Sequence, residues 1–200
     1  MRIFRRKPAR GRALPLLAAL ILIPSGNLLR AQTPVPRQGT VELYLGQYHI
    51  ADPMFETIYH PGGSVQGIVL TANLVPNLDF YLEIKGMVKS GLLSYSKEKS
   101  DFVLFPISLG IRGSVSVSFF SPFAGAGLDT YVYYEKNPIG TTLNYARGWH
   151  VQAGFHIRLG KNVPILPMAR IRYTHVKASS DGRTINLGGF EFGAGLAFTF

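Results

Sequence analysis

The sequence predicts an all-β fold, an eight-stranded antiparallel up-and-down transmembrane β-barrel, on three observations. Apolar and polar residues alternate with period two in segment after segment, as expected of strands, whose successive side chains point to opposite faces. Eight such segments fill residues 40–200 between turn-rich breaks, and no convincing window of period 3.6 follows Arg37. The polar face mixes charges with glycines, which suits a cramped interior that must hold large charged chains.

The chain opens on a leader. Residues 1–12 carry Arg2, Arg5, Arg6, Lys7, Arg10 and Arg12 without an acid, and residues 13–23 are an apolar run interrupted by Pro15. This is the layout of a secretory signal peptide, with cleavage after Ala31. The run is about half the ~20 residues a spanning helix needs. The residues after Arg5-Arg6 lack the apolar continuation of a twin-arginine signal, so the general secretory pathway is expected. Residues 32–39 then form a flexible mature start.

The leader also disposes of the chain's apparent basicity. The formal charge of +10 suggests nucleic acid or anionic lipid as a partner. Residues 1–31 hold seven of the 21 Lys and Arg and none of the 11 Asp and Glu, so fourteen cations face eleven acids in the mature chain, or +3. Nucleic acid is therefore not an expected partner. The absence of cysteine excludes a disulfide scaffold and a Cys-based zinc site.

The strands follow in order. Residues 41–50 and 64–75 are the first two, separated by a long polar loop at 51–63; Pro76-Asn77 is a tight turn into residues 78–89. There Leu78, Phe80, Leu82, Ile84, Gly86 and Val88 share one face, against Asp79, Tyr81, Glu83, Lys85, Met87 and Lys89. Residues 102–112 and 122–135 are the fourth and fifth, entered after a polar loop at 91–101, while 114–121 could extend either of them. A third long loop, 136–147, leads to residues 149–159, where Trp149, Val151, Ala153, Phe155, Ile157 and Leu159 oppose His150, Gln152, Gly154, His156 and Arg158. A short break leads to 165–177, and residues 190–200 close the series with Phe190, Phe192, Ala194, Leu196, Phe198 and Phe200 on one face. Short turns at one end and longer loops at the other suit a membrane-crossing meander.

A soluble barrel would turn its apolar face inward; a membrane barrel inverts this. The glycines of the polar face favour inversion. Trp149 and Tyr134, near the long-loop ends of their strands, and Phe80, near the short-turn end with Phe198 and Phe200, are expected to form two interfacial aromatic girdles.

The leader, the eight-strand meander and the ending Gly195-Leu196-Ala197-Phe198-Thr199-Phe200 resemble the small eight-stranded outer-membrane barrels of Gram-negative bacteria, the OmpA/OmpX/OmpW-like group. The resemblance covers the mature chain, without a peptidoglycan-binding domain after the last strand. It implies a bacterial outer-membrane location and a structural or surface role. It makes Gly195, Phe198 and Phe200 a terminal assembly signal read by the barrel assembly machinery, with periplasmic chaperones as biogenesis partners. Outer-membrane lipid and lipopolysaccharide are its expected surroundings, and a monomer its default state. It also admits two other activities: a conduit for small hydrophobic molecules and a lipid A-modifying enzyme.

The residues themselves favour the structural role. The polar faces hold Glu42, Asp79, Glu83, Asp129, Glu135 and Glu191 against Lys85, Lys89, Arg112, Arg158, Arg170 and Arg172. Unpaired charges in an enclosed space are costly, so pairing is expected. Glu83, Lys85, Asp129, Arg170, Arg172 and Glu191 fall at similar mid-barrel heights and are expected to form one salt-bridge network that plugs the lumen. No catalytic, cofactor or metal residue is expected. His150 and His156 are six residues apart on one face, about 20 Å at ~3.3 Å per residue. His49, His60 and His175 lie near loop ends, and residues 60–64 read as a turn, without the His and Ser spacing of a barrel deacylase. Gly125/Gly127 and Gly193/Gly195 sit inside alternating strands with no helix after them, so they are lumen space and not nucleotide loops.

Overall fold

The computed structural model describes residues 38–60, 62–94, 96–138, 140–160, 163–180 and 183–200. The expected leader at 1–31 and the mature start up to residue 37 lie outside them. The strands are β1 (Gly39–Ile50), β2 (Gly63–Val75), β3 (Leu78–Leu92), β4 (Lys99–Ser114), β5 (Phe120–Asn137), β6 (Gly140–Ile157), β7 (Ile165–Ser180), β8 (Arg183–Asn186) and β9 (Gly189–Thr199), with one helix, α1 (Pro53–Tyr59), between β1 and β2. Consecutive strands from β1 to β7 pair antiparallel, β7 pairs β9, and β9 pairs β1. The sheet therefore closes on itself. β8 continues β9 in the same register along β7, with Lys177 opposite Asn186 and Thr174 opposite Gly189, so the two are one barrel strand interrupted at Leu187 and Gly188. The barrel has eight strands. Closure leaves no edge, and every ladder finds its partner inside the chain.

Burial alternates along each strand in the expected phase. Glu42, Tyr44, Tyr81, Glu83, Asp129, Tyr131, Arg170, Arg172 and Glu191 are buried, while Leu43, Leu45, Ile84, Leu109, Leu128, Ile171 and Phe192 are exposed. The chain is inside-out relative to a soluble barrel. Gly39 already pairs Ala72, and the Gln38 amide donates to the Phe200 carbonyl at 3.0 Å, so β1 starts two residues before the expected 41 and is tied to the C-terminus.

Three expectations about the connections are corrected. Residues 51–63 are not a plain loop. Asp52 caps α1, its Oδ1 accepting the Phe55 amide at 3.2 Å and its carbonyl the Glu56 amide at 3.0 Å, and Pro53 occupies the first helical position, where no amide is needed. Seven residues, about two turns of helix, are too few to carry a period-3.6 signature. The helix persists because Phe55 and Tyr59, four residues apart, bury one face in the barrel mouth. The loop expected at 91–101 is shortened from both sides, β3 running on to Leu92 and β4 starting at Lys99, and that expected at 136–147 is largely strand, with β5 and β6 reaching Asn137 opposite Gly140. Cross-strand pairing carries these polar hairpins outward past the apolar zone, where water tolerates either face. The ambiguous stretch 114–121 gives Ser114 to β4 and Phe120 and Ser121 to β5, with a turn between them in which the Val117 and Phe120 backbones bond each other and Ser118 has φ 54°.

The longer hairpin also moves the girdle. Trp149 sits near the middle of β6 rather than near its end, opposite Leu128, while Tyr134 lies six residues further up β5. The two do not share a height. Trp149 instead meets His175 and Tyr173 on β7, at 5.6 and 6.0 Å between ring centroids, and Tyr173 meets Phe190 on β9 at 5.0 Å. Phe80 and Phe198 are outward-facing towards the short-turn end. Phe190 and Phe198 are about 26 Å apart along β9 at ~3.3 Å per residue, or about 20 Å of height once a strand tilt of ~40° is taken off, which lies within a lipid-facing band of ~25 Å.

Asp52 joins α1 to the barrel, since its Oδ2 accepts the Asn186 amide at 2.9 Å. Asp52→Ala should cost about 1 kcal/mol. Amide exchange should accelerate at Phe55 and Glu56 while the central strands keep their protection; unchanged exchange in α1 would refute the capping role.

Candidate functional site

The candidate site is the barrel interior, built in three layers from inward-facing side chains. The sequence supplies room for them through glycine. A Cβ on Gly46 or Gly193 would meet the Tyr44 hydroxyl at 2.6 or 2.7 Å; one on Gly110 would collide with that of Tyr81, one on Gly67 would meet the Lys85 Cγ at 2.5 Å, and one on Gly127 the His150 ring at 2.7 Å. Each of these glycines lies beside one large lumen group. Gly125 likewise leaves room for Arg112.

The central layer holds the six residues expected to share a network, and the structure brings all six together. Arg170 and Arg172 project from β7 towards Glu83 on β3, four strands away around an eight-strand ring and so diametrically opposite. Arg170 Nη2 reaches Glu83 Oε1 at 2.5 Å and Glu191 Oε1 at 3.1 Å. Arg172 takes the other oxygen of Glu83 through Nη1 and Asp129 through Nη2. Lys85 Nζ lies 2.5 Å from Glu191 and 3.7 Å from Glu83. Three acids thus face three bases, drawn from β3, β5, β7 and β9. Alternate strands supply one layer because a barrel's shear brings them to a common height.

Neutral groups complete the layer, several of which the sequence did not single out. Ser108 donates to Asp129 at 2.6 Å and accepts from Arg172 at 2.7 Å. Gln152 accepts from Arg170 at 3.3 Å, and the Arg170 guanidinium lies 4.0 Å over the Tyr44 ring. His150 bonds Asp129 through Nδ1 at 3.0 Å and Tyr81 through Nε2. Tyr81, His150 and Asp129 thus stand in file, all buried, and the Asp129 oxygen that meets His150 also accepts from Arg172 and Ser108.

Below, towards the short turns, Glu42 binds Arg112 at 2.7 Å and His156 at 3.3 Å, and Arg112 also reaches Asp79 at 3.7 Å and stacks over Phe123 at 4.7 Å. His150 and His156 therefore serve separate layers. Arg158 lies outside this set, donating to Ser116 at the short-turn end. Above, the lumen turns apolar: Ile50, Phe55, Tyr59, Phe102, Leu104, Tyr133, Val176 and Leu187 are all buried there. Phe55 stacks edge-on against Phe102 at 5.1 Å and on Tyr59 at 4.8 Å, so α1 stoppers the long-loop mouth. The Tyr59 hydroxyl bonds Ser100 at 2.6 Å and donates to Glu135 at 3.0 Å, and burial holds its phenol above the usual tyrosine range. Lys89 donates to the Gly62 carbonyl at 2.5 Å beneath the helix. Nothing in the alternation pattern marked this stopper.

Outside the network, Gly195 faces inward and Phe198 outward on β9, while Phe200 closes the ring against Gln38 and Gly39. The described residues contain no group of three or more His, Asp or Glu able to hold a metal ion.

No family model matches the sequence, and no curated protein does. Solved structures do. The outer membrane protein OprG from Pseudomonas aeruginosa superposes with a TM-score of 0.64 at 12% identity, covering 82% of this chain and 97% of that one. Neisserial surface protein A gives 0.62 at 15% identity, over 82% and 97%. Ail, the attachment invasion locus protein of Yersinia pestis, solved with the heparin analogue sucrose octasulfate, gives 0.53 at 12% identity, over 80% and 99%. The chain has the fold of the small eight-stranded outer-membrane barrels.

Removing one partner of a buried ion pair strands the other. Arg172→Met should therefore lower the stability of the micelle-folded barrel by about 3–5 kcal/mol, whereas Lys99→Met, at the exposed pair with Asp101, should leave it near wild type. Urea unfolding followed by gel migration measures both; equal losses would show that the network is not what holds the lumen.

Proposed function

We propose that the chain is an integral β-barrel of the bacterial outer membrane with a structural or surface role, exported by the general secretory pathway and closed to bulk ion flow. The observation that carries this reading is the inverted distribution: a paired, charged interior inside a continuous apolar wall. Water rewards the opposite arrangement, and only lipid stabilises this one. The resemblance of the leader to a signal peptide supports export. The ending Gly195 to Phe200 supports delivery by periplasmic chaperones to the barrel assembly machinery. Closure of every strand edge makes a monomer sufficient, embedded in lipid and lipopolysaccharide with both termini in the periplasm and the long hairpins outside. The lumen is filled by side chains in three layers, which supports a stable wall element over a pore or a catalytic site. The experiment is fractionation with heat-modifiable gel migration, followed by planar-bilayer conductance. The expected result is an outer-membrane, heat-modifiable protein without sustained large openings; a water-soluble periplasmic protein would overturn the location, and sustained openings the closed lumen.

A second reading, a conduit for small hydrophobic molecules, is favoured by one feature of the wall. Between β3 and β4, Ile84 pairs Ile107 and Met87 pairs Leu104, but the two intervening positions do not pair. Pro106 stands there and has no amide to donate. Beside the gap an open groove of about 820 Å³ runs along the outer face over Leu43, Leu45, Ile68, Leu70, Ile84 and Phe105. Pro106→Ala restores the missing donor. In proteoliposomes it should slow uptake of a hydrophobic dye several-fold if the gap is the route; unchanged uptake removes this reading.

A further inference from the structure

Charge is rare on the outer wall. Among the described strand side chains, the outward-facing lysines, arginines and carboxylates are Lys99, Asp101, Lys136, Arg147 and Lys177, all towards the long-loop end. The first three compensate one another: Lys99 lies 3.2 Å from Asp101, and Asp101 stands opposite Lys136. Arg147 and Lys177 do not. They are directly opposed across β6 and β7, and neither is ion-paired with a carboxylate among the described residues. Like charges directly opposite on one sheet face repel, so this pair calls for an anion between its members.

The surface beneath the pair indicates what kind of molecule carries that anion. The next outward pair is Trp149 and His175, stacked at 5.6 Å with their planes 28° apart, and Tyr173 and Phe190 extend the ring surface onto β9. Above the pair, Tyr145 lies 5.8 Å beneath the Arg147 guanidinium, holding it over the wall. Two cations thus stand at the upper rim of an aromatic ledge that leads down into the apolar band. An amphiphile with a phosphate at its head and acyl chains below matches this order of surfaces. Arginine presents a planar fork that suits two phosphate oxygens, and lysine adds a mobile point charge.

We propose that Arg147 and Lys177 bind a phosphate on the headgroup of the outer-leaflet glycolipid, the lipid A portion of lipopolysaccharide, whose acyl chains lie along Trp149, Tyr173 and Phe190. The proposal rests on the outer-membrane reading above and gives that lipid contact a defined site. Trp149 is the sole tryptophan of the chain and sits in the site, so its emission reports occupancy.

The test uses the full mature chain in zwitterionic detergent, with heat-modifiable migration checked first. A chain that lacks it and stays soluble without detergent fails the membrane reading before any lipid is added. The folded chain is then titrated with bis-phosphorylated lipid A, with the same lipid A stripped of both phosphates, and with inorganic phosphate. The expected result is a saturable shift of Trp149 emission with phosphorylated lipid A, at least tenfold weaker binding of the stripped lipid, and no shift with millimolar inorganic phosphate. The R147Q/K177Q chain should bind phosphorylated lipid A at least tenfold more weakly, while K99Q/K136Q keeps wild-type affinity. Equal affinity for the two lipids, saturation by inorganic phosphate alone, or equal loss in both double variants would overturn the site. If R147Q/K177Q fails to fold, the lipid arms on the wild-type chain still decide.

Discussion

The structure turns on one side chain, Glu83, which accepts Arg170 with one carboxylate oxygen and Arg172 with the other across the full width of the barrel. A barrel wall is held edge to edge by its ladders, but nothing in the ladders resists flattening. A cross-lumen ion pair does, because a fixed bond length sets the diameter at that height. Glu191, Asp129 and Lys85 then balance the charge that two buried guanidiniums bring with them. In an interior of lowered dielectric, leaving any of the six unpaired would cost more than the pair gains, so the network stands or falls as a unit.

That constraint propagates into the choice of small residues. Large ions and phenols can occupy an eight-strand lumen only where their neighbours withdraw, and Gly46, Gly67, Gly110, Gly125, Gly127 and Gly193 withdraw beside Tyr44, Lys85, Tyr81, Arg112 and His150. The same residues leave the outer wall untouched, because strand side chains alternate. Interior chemistry and exterior apolarity are thus written in the same strands at alternate positions. They interfere at Pro106, where an inward-facing proline leaves two positions of the ladder between β4 and β3 unpaired beside Lys85.

The two ends of the lumen close by different physics. Towards the short turns, Glu42, Arg112 and His156 form a second polar layer, and Asp79 reaches it from the rim. Towards the long hairpins, α1 lowers Phe55 and Tyr59 onto Phe102, and closure is apolar. The first kind of closure is made by ion pairs between side chains of the barrel strands themselves. The second depends on a seven-residue helix held by the Asp52 cap and by burial, which is the least cooperative element of the fold.

Period-two alternation alone yielded the strand count, the phase of every strand but β2, the sense of the inversion and the identity of the six ions, because it maps directly onto the two faces of a sheet. Glu83, Arg170 and Arg172 were legible as inward and level from counting alone. Tertiary structure decided the rest. Which carboxylate oxygen meets which guanidinium depends on β3 and β7 being opposite in a closed ring, a relation carried by no local pattern. The lengthened hairpins, and with them the position of Trp149 at mid-strand, were hidden because polar residues alternate with nothing once both faces meet water. Helix α1 was invisible because seven residues are too few for a helical period, and its stability comes from the barrel mouth it fills.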